Sequence, residues 1–500
     1  MSARKIMIQG TGSYVGKSVV TAALCRYFHK QGLKVAPFKA QNMSNNSFVT
    51  AQGGEIGRAQ AFQAQACGIE PRVEMNPILL KPGSDQGAQV VVLGKVVGVM
   101  GAKDYHQFQP QLLRMIQDCL IQLSQEHDIL VIEGAGSPAE VNLRPFDIVN
   151  MRVARMAAAP VVLVGDINLG GVFAWLVGTL ELLSEEERSL VKAFIINKFR
   201  GDLSLLRDGL DFLEKRTQKK VLGVLPFLKE LVIAEEDSIP EAKWKTPPVQ
   251  DSAKLTVQVV LLPHISNSTD LESVEFESDV ALRYLARVPQ DGERFPDLLI
   301  IPGSKSTMAD LSYMRSTGIA DYVLRCHKAG TAIAGICGGY QMLGSVLLDP
   351  LRVESSTTSM EGLNLLNCTT TFEPRKTTVQ VRALSLDHKE EITGYEIHMG
   401  TTECEERPLF RVVEECGKAT DRLEGAVSTD GSVWGTYVHG VFDNSLWRRR
   451  ILNELRRRRG WNALPATIGN PMASGMETLA SLISNHIDLT TLEQILNGEL

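Results

Sequence analysis

Short apolar runs separated by longer stretches of helical periodicity organise the N-terminal half of the chain, at residues 5–9, 35–38, 129–132, 161–164, 194–196 and 221–225. Runs this short, with little polar alternation, read as strands buried on both faces, and the intervals between them are long enough for helices. The pattern predicts a mostly parallel sheet covered by helices on both sides. It returns at 254–262, 297–301 and 332–336, after a stretch reading E-E-D-S-I-P-E-A-K-W-K-T-P-P-V-Q-D-S that is acidic, then proline-bearing, and without periodicity. That stretch predicts a linker. The expected organisation is a first α/β domain over 1–233, a linker over 234–252, a second α/β domain over 253–447 and a short helical tail over 448–500. In the tail, R-R-R (448–450) and R-R-R-R (456–459) interleave with Ile451, Leu452 and Leu455 at helical spacing. This predicts a helix with a solvated basic face, followed by helices over 479–487 and 489–496.

Five hundred residues are too many for one core, which agrees with a multidomain reading. With 44% hydrophobic residues, 22% charged residues and a net charge of −6, the composition carries no bias toward nucleic acid or membrane. Small-molecule partners are the expectation. The eight cysteines form no C-x-x-C pair and no evident disulfide framework, which fits a reducing cytoplasm. The start leads directly into a strand, and no apolar run is long enough to span a bilayer, so neither a signal peptide nor a membrane helix is expected.

Chemistry enters at the first turn. G-T-G-S-Y-V-G-K-S (10–18) lies between the first strand and a helix predicted over 19–31. Gly10, Gly12 and Gly16 let backbone N–H groups face phosphates, Lys17 reaches the terminal phosphates, and Ser18 suits Mg²⁺. Five residues separate Gly10 from Gly16, where the common phosphate loop has four. The longer form resembles that of dethiobiotin synthetases and their relatives.

Ligands of open α/β sheets sit beyond the carboxyl ends of the strands, where Glu133 and Asp166 fall. Glu133, opening E-G-A-G-S-P-A-E-V-N-L, reads as a Mg²⁺ ligand opposite Ser18, with a capping or solvated glutamate as the alternative. The polar connections K-A-Q-N-M-S-N-N-S (39–47) and G-D-I-N-L-G-G-V-F-A (165–174) read as substrate loops, with ordinary turn chemistry as the alternative. Lys39 is placed to stabilise charge on a transferred phosphoryl group. N-P-I-L-L-K-P (76–82) is expected on the same side.

In the second domain, A-I-A-G-I-C-G-G-Y-Q-M-L-G (332–344) predicts a strand, a sharp turn and a helix start, with Cys337 on the elbow as a nucleophile. Gly338 and Gly303, the latter in I-P-G-S-K-S-T (301–307), are the candidate sources of oxyanion-hole donors. His439, in G-T-Y-V-H-G-V-F (435–442), ends another apolar strand and is the candidate general base. A buried structural cysteine and histidine are the alternatives.

Taken together, the long phosphate loop, K-A-Q-N-M-S-N-N-S, E-G-A-G-S-P-A-E-V-N-L, N-K-F-R-G-D (197–202), P-G-S-K-S-T, G-I-C-G-G-Y-Q-M-L-G and Y-V-H-G-V-F resemble the cobyric acid synthases over nearly the whole chain. These are glutamine-dependent amidotransferases of cobalamin biosynthesis. The resemblance implies a P-loop domain, a class I-like glutaminase domain, ATP with Mg²⁺ as co-substrate and ion, and no tightly bound cofactor. It also implies glutamine and adenosylcobyrinic acid a,c-diamide as substrates, with four carboxylates amidated. Class I glutaminases carry an acid two residues after the histidine; that position here is Val441, so a Cys337–His439 dyad without an orienting carboxylate at that position is expected. Asn168-Leu169 stand where the family usually shows Asp-Arg. A related enzyme amidating the a and c carboxylates, and a P-loop switch ATPase with a vestigial glutaminase, are the rival readings.

Overall fold

The computed structural model describes residues 3–83, 87–228, 253–290, 292–466 and 471–500, with side chains from 475 onward in the last segment. The stretch expected to be a linker lies outside the described residues.

All six apolar runs of the N-terminal half become strands of one parallel sheet, ordered Lys220–Pro226, Val191–Phe199, Val161–Asp166, Arg4–Gly10, Ile129–Glu133 and Val35–Phe38. Near-complete burial along the central strands explains why their sequences do not alternate. Helix α1 (Lys17–Lys30) follows the first strand and packs Val20, Leu24 and Phe28 against one face. Helix α2 (Ala102–Glu126) covers the other with Leu112, Ile116 and Leu123. The first strand sits in mid-sheet between Val161–Asp166 and Ile129–Glu133, so the phosphate loop, Glu133 and Asp166 emerge together at one edge.

The polar connection after Phe38 is more structured than a loop. Gln41–Met43 pairs with Ile78–Pro82 in a small four-stranded sheet that also contains Ala88–Val92 and Lys95–Met100. Ser47–Val49 and Glu55–Gly57 form a separate hairpin.

The second half begins with another parallel sheet, ordered Val280–Leu285, Leu255–Val260, Leu298–Ile301, Ala332–Ile336 and Val433–Thr436, closed by antiparallel Ala426–Val427. A mainly antiparallel sheet stands beside it, built on a long hairpin of Cys368–Ser385 and Glu391–Cys404. Its register brings Cys368 opposite Cys404, and the two are joined in a disulfide. The sequence spacing shows no disulfide framework and does not anticipate this pair. The partners are 36 residues apart, and only the strand pairing makes them neighbours.

The C-terminal segment is not an appendage. Helix α3 (Ser445–Arg458) packs Trp447, Leu452 and Leu455 into the second core. Its basic face is only partly solvated: Arg448 and Arg449 are buried against Glu277 and Asp279, Arg456 bonds Asp279, and Arg459 bonds Asp297. The expected solvated face is therefore corrected at these positions, where carboxylates from distant turns receive the guanidinium groups. Helices α4 (Pro471–His486) and α5 (Leu489–Asn497) return to the first half. There Leu479, Ile483 and Ile495 share a core with Ile6, Ile8 and Val20.

Ile483→Ala removes a fully buried side chain from that shared core and should cost roughly 2–5 kcal/mol. Hydrogen exchange should accelerate in Arg4–Gly10 and leave Leu255–Val260 unchanged. Equal protection of Arg4–Gly10 in the variant and the native chain would show that the tail does not support the first sheet.

Candidate active site

Each half carries one polar centre. At the first, Gly16 caps α1 with a φ of 98°, and a Cβ there would stand 2.1 Å from Asn197 Nδ2. Only glycine meets both conditions. Asn197 Nδ2 donates to Val15 O at 2.9 Å, and Lys198 Nζ donates to Tyr14 O at 2.6 Å and to Asp166 Oδ2 at 2.8 Å. N-K-F-R-G-D thus clamps the phosphate loop from the next strand but one, and Asp166, on the strand between, holds the clamp.

Lys17 Nζ donates to Gly12 O at 2.8 Å and Gly136 O at 3.1 Å, curling over the loop. Glu133 is fully buried and gathers three donors: Ser18 Oγ and Lys39 Nζ reach Oε1 at 2.8 and 2.9 Å, and Gln63 Nε2 reaches Oε2 at 2.6 Å. A hydroxyl and a carboxylate oxygen side by side at a phosphate loop are hard-oxygen donors of the kind that could hold Mg²⁺. Beyond Lys17 and Lys39 opens a cavity of about 1120 Å³, walled by both halves. Asn42, Ser44, Asn45 and Asn46 line it from one side and Pro263, Ile265 and Ser268 from the other. Asn76, expected nearby, bonds Lys39 O at 3.0 Å and so supports the wall from behind.

At the second centre, Cys337 links strand Ala332–Ile336 to the helical turn Gly338–Leu343 with φ 51° and ψ −110°. Non-glycine residues rarely adopt this conformation, and such strain concentrates at functional sites. The elbow is tight because a Cβ at Gly339 would fall 2.0 Å from Ile301 O. The first atom a Cβ at Gly338 would meet is the Ser304 nitrogen, at 2.9 Å. Of the P-G-S-K-S-T loop, then, it is the Ser304 amide that comes beside Gly338, while Gly303 lies against Ser266 and His439. Gln341, one turn on, is tied to Thr307 Oγ1, Met399 O and Tyr437 Oη.

His439 has a carboxylate partner. Nδ1 pairs with Asp270 Oδ2 at 2.6 Å, and Gly440 N donates to Asp270 Oδ1 at 2.8 Å. The dyad without an orienting acid is therefore corrected to Cys337, His439 and Asp270. Val441 lies after the histidine as read, and the acid arrives from a turn 169 residues earlier. Asp270 closes the run P-H-I-S-N-S-T-D directly after the first strand of the second half. The strand-end rule that singled out Glu133 points to it more weakly, because Asp270 sits on the turn Ser268–Leu271 beyond the end of Leu255–Val260. Burial alone would keep His439 neutral, but Asp270 and Cys337 outweigh it and raise its pKa to about 10. His439 Nε2 is buried and has no hydrogen-bond partner among the described residues. An imidazolium beside a cysteine favours the thiolate, which is the nucleophilic form.

The raised value means that the Asp270–His439 interaction stabilises the fold fully below the ordinary value of 6.5 and loses that contribution as pH rises through about 10. Asp270→Asn removes the charge, so His439 should deprotonate at lower pH and Cys337 lose its cationic neighbour. Alkylation of Cys337 by iodoacetamide near neutral pH should slow measurably. An unchanged pH profile of alkylation would remove Asp270 from the site.

Residues 6–241 match the CobQ/CobB/MinD/ParA nucleotide binding domain, and residues 256–447 match the CobB/CobQ-like glutamine amidotransferase domain. Cobyric acid synthase of Limosilactobacillus reuteri (strain DSM 20016) is 48% identical over 502 residues, spanning 99% of both chains. That of Streptococcus sanguinis (strain SK36) is 47% identical over 501 residues, again 99% of both, and that of Moorella thermoacetica is 47% identical over 510 residues, 99% of this chain and 98% of the relative. Among the described residues no helix is long and apolar enough to cross a membrane. With two nucleotide- and glutamine-handling halves in one polypeptide, matched from end to end, the chain belongs to the cobyric acid synthase family and is an amidating ligase.

Proposed function

We propose that the chain amidates the b, d, e and g carboxylates of adenosylcobyrinic acid a,c-diamide to give adenosylcobyric acid, using ATP and glutamine in the cytoplasm without a tightly bound cofactor. The observation that carries this reading is the large cavity whose wall contains Lys17 and Lys39 on one side and second-half residues on the other. It offers room for a macrocycle and a rim of asparagine and serine suited to amide and carboxylate side arms. It also opens at the phosphate loop.

A carboxylate is a poor electrophile, and transfer of the γ-phosphoryl group makes it an acyl phosphate that ammonia can attack. Lys17 and Lys39 offset charge on the phosphoryl oxygens. Ser18 and Glu133 are the residues that would hold Mg²⁺, which when bound supplies charge neutralisation between the phosphates. In the second half, Cys337 Sγ attacks the carboxamide carbon of glutamine, while N–H groups at Gly338 and the Gly303–Ser304 turn receive the developing oxyanion. His439 delivers the proton that lets ammonia leave. It then takes one from the water that releases glutamate from the thioester, and Asp270 holds the ring orientation through both steps.

Incubation with cobyrinic acid a,c-diamide, glutamine and Mg·ATP should give a product carrying four new amides by mass spectrometry, and amidation limited to an a,c-unsubstituted substrate would reassign the acceptor. Lys17→Ala and Glu133→Gln should each abolish amidation from glutamine and from ammonium, because activation precedes nitrogen transfer. Cys337→Ala should abolish only the glutamine-dependent reaction. His439→Ala should behave in the same way, while retaining amidation at high ammonium and elevated pH.

A further inference from the structure

Asp270 lies on the 3₁₀ turn Ser268–Leu271, and the residue just before that turn is unusual. Asn267 adopts φ 51° and ψ 43°, a left-handed conformation that asparagine tolerates better than most residues. Its side chain reaches out of its own half: Oδ1 accepts from Ser47 N at 2.9 Å, in a buried setting. Ser268 N donates in turn to Asn46 Oδ1 at 3.2 Å, and Asp270 N donates to Asn267 O at 3.0 Å. The turn that presents the carboxylate is thus pinned at its start by the K-A-Q-N-M-S-N-N-S segment of the phosphate-loop half.

A second line runs from the same residue to the imidazole. Tyr395 Oη donates to Ser47 O at 3.0 Å, and the Tyr395 ring stacks on His439 with centroids 5.3 Å apart and planes 23° from parallel. Ser47 therefore meets both partners of the Asp270–His439 pair through one intermediary each. The residues immediately before it, Ser44, Asn45 and Asn46, form the wall of the large cavity.

We propose that Asn267 and Tyr395 are positioning residues through which acceptor occupancy of the cavity sets the Asp270–His439 geometry, so that glutamine is hydrolysed quickly only when a corrinoid carboxylate is in place. This rests on the assignment of the cavity to the corrinoid. A ligand that bonds the 44–46 wall acts directly on the segment that Asn267 and Tyr395 hold. Only such differential contact can shift a conformational equilibrium. The first line is hydrogen-bonded throughout and the second is one hydrogen bond followed by a ring stack, so loss of the Asn267 carboxamide or the Tyr395 hydroxyl leaves a buried Ser47 backbone group without its partner. The benefit is chemical: ammonia released before the carboxylate is activated would escape to solvent.

The test measures glutaminase rate in the full chain with and without cobyrinic acid a,c-diamide plus Mg·ATP, alongside amidation from ammonium and the pH profile of Cys337 alkylation. Asn267→Gly retains the left-handed backbone and deletes the carboxamide; Tyr395→Phe retains the ring on His439 and deletes the hydroxyl. The native chain should be stimulated by acceptor at least about fivefold, the lower range of allosteric coupling, and Asn267→Gly should lose most of that stimulation. Its alkylation profile should move in the same direction as that of Asp270→Asn, and amidation from ammonium should be retained. Tyr395→Phe should lose part of the stimulation and serves as the readout if Asn267→Gly does not fold. Native-like stimulation and alkylation in both variants, or no stimulation of the native chain, would overturn the proposal. If the native chain fails to amidate the corrinoid from ammonium, the assignment of the acceptor is wrong, and the alkylation profiles measured without acceptor still decide whether Asn267 positions the pair.

Discussion

A carboxylate buried between two ammonium groups, one from each half of the chain, fixes how the halves meet. Glu55 is 1% exposed, and Lys81 Nζ and Lys376 Nζ lie 2.7 and 2.6 Å from its two oxygens. Burial alone would raise its pKa, yet the two lysines hold it well below the usual carboxylate range. Such an arrangement adds little net stability over a packed apolar contact, but removal of one partner strands the remaining charges at a cost of roughly 3–5 kcal/mol. Its effect is registry. Glu55 sits on the hairpin beside Ser47–Val49, and the surrounding contacts are specific in the same sense: Thr378 Oγ1 bonds Gly53 O, Gln380 Nε2 bonds Val49 O, and Val49 packs on Tyr395 and Ile397.

With that hairpin seated, the two centres acquire different environments from one junction. The phosphate-loop side opens to a broad cavity whose lining mixes polar and apolar side chains. The thiol side is closed: Cys337 is 5% exposed, and His439 and Asp270 are 0% and 4% exposed. Closure strengthens the electrostatic interaction between Asp270 and His439, because water no longer screens it. It also supports the strained backbone at Cys337, a conformation worth of order 1–3 kcal/mol that persists only where its surroundings over-determine it. The bond from Cys337 N to Thr436 O and the anchoring of Gln341 on three sides provide that support.

Local chemistry was legible in the residues themselves. Apolar runs without alternation specify strands buried on both faces, and a glycine-bracketed Lys17-Ser18 or Cys337 specifies a turn with a purpose, because each depends on neighbours within about ten residues. Gly16 and Gly339 show the reason. Their backbone positions leave no room for a Cβ, so the sequence had to contain glycine wherever those turns form.

Relations between distant segments were set only by folding. Asp270 and His439 are 169 residues apart, and their union requires a turn that follows a strand of the parallel sheet to meet a strand of the antiparallel one. Cys368 and Cys404 meet because the long hairpin takes one register. The last two helices cross back to the first core, α4 against α1 and α5 against Arg4–Gly10 and Lys220–Pro226, and nothing in their own sequence names a partner. Spacing and periodicity are properties of a line, and they determined the elements and the reactive side chains of this protein. Which acid serves which histidine, which arginines are buried and which domain a helix completes are decided by burial and pairing across space, where sequence distance carries no energy.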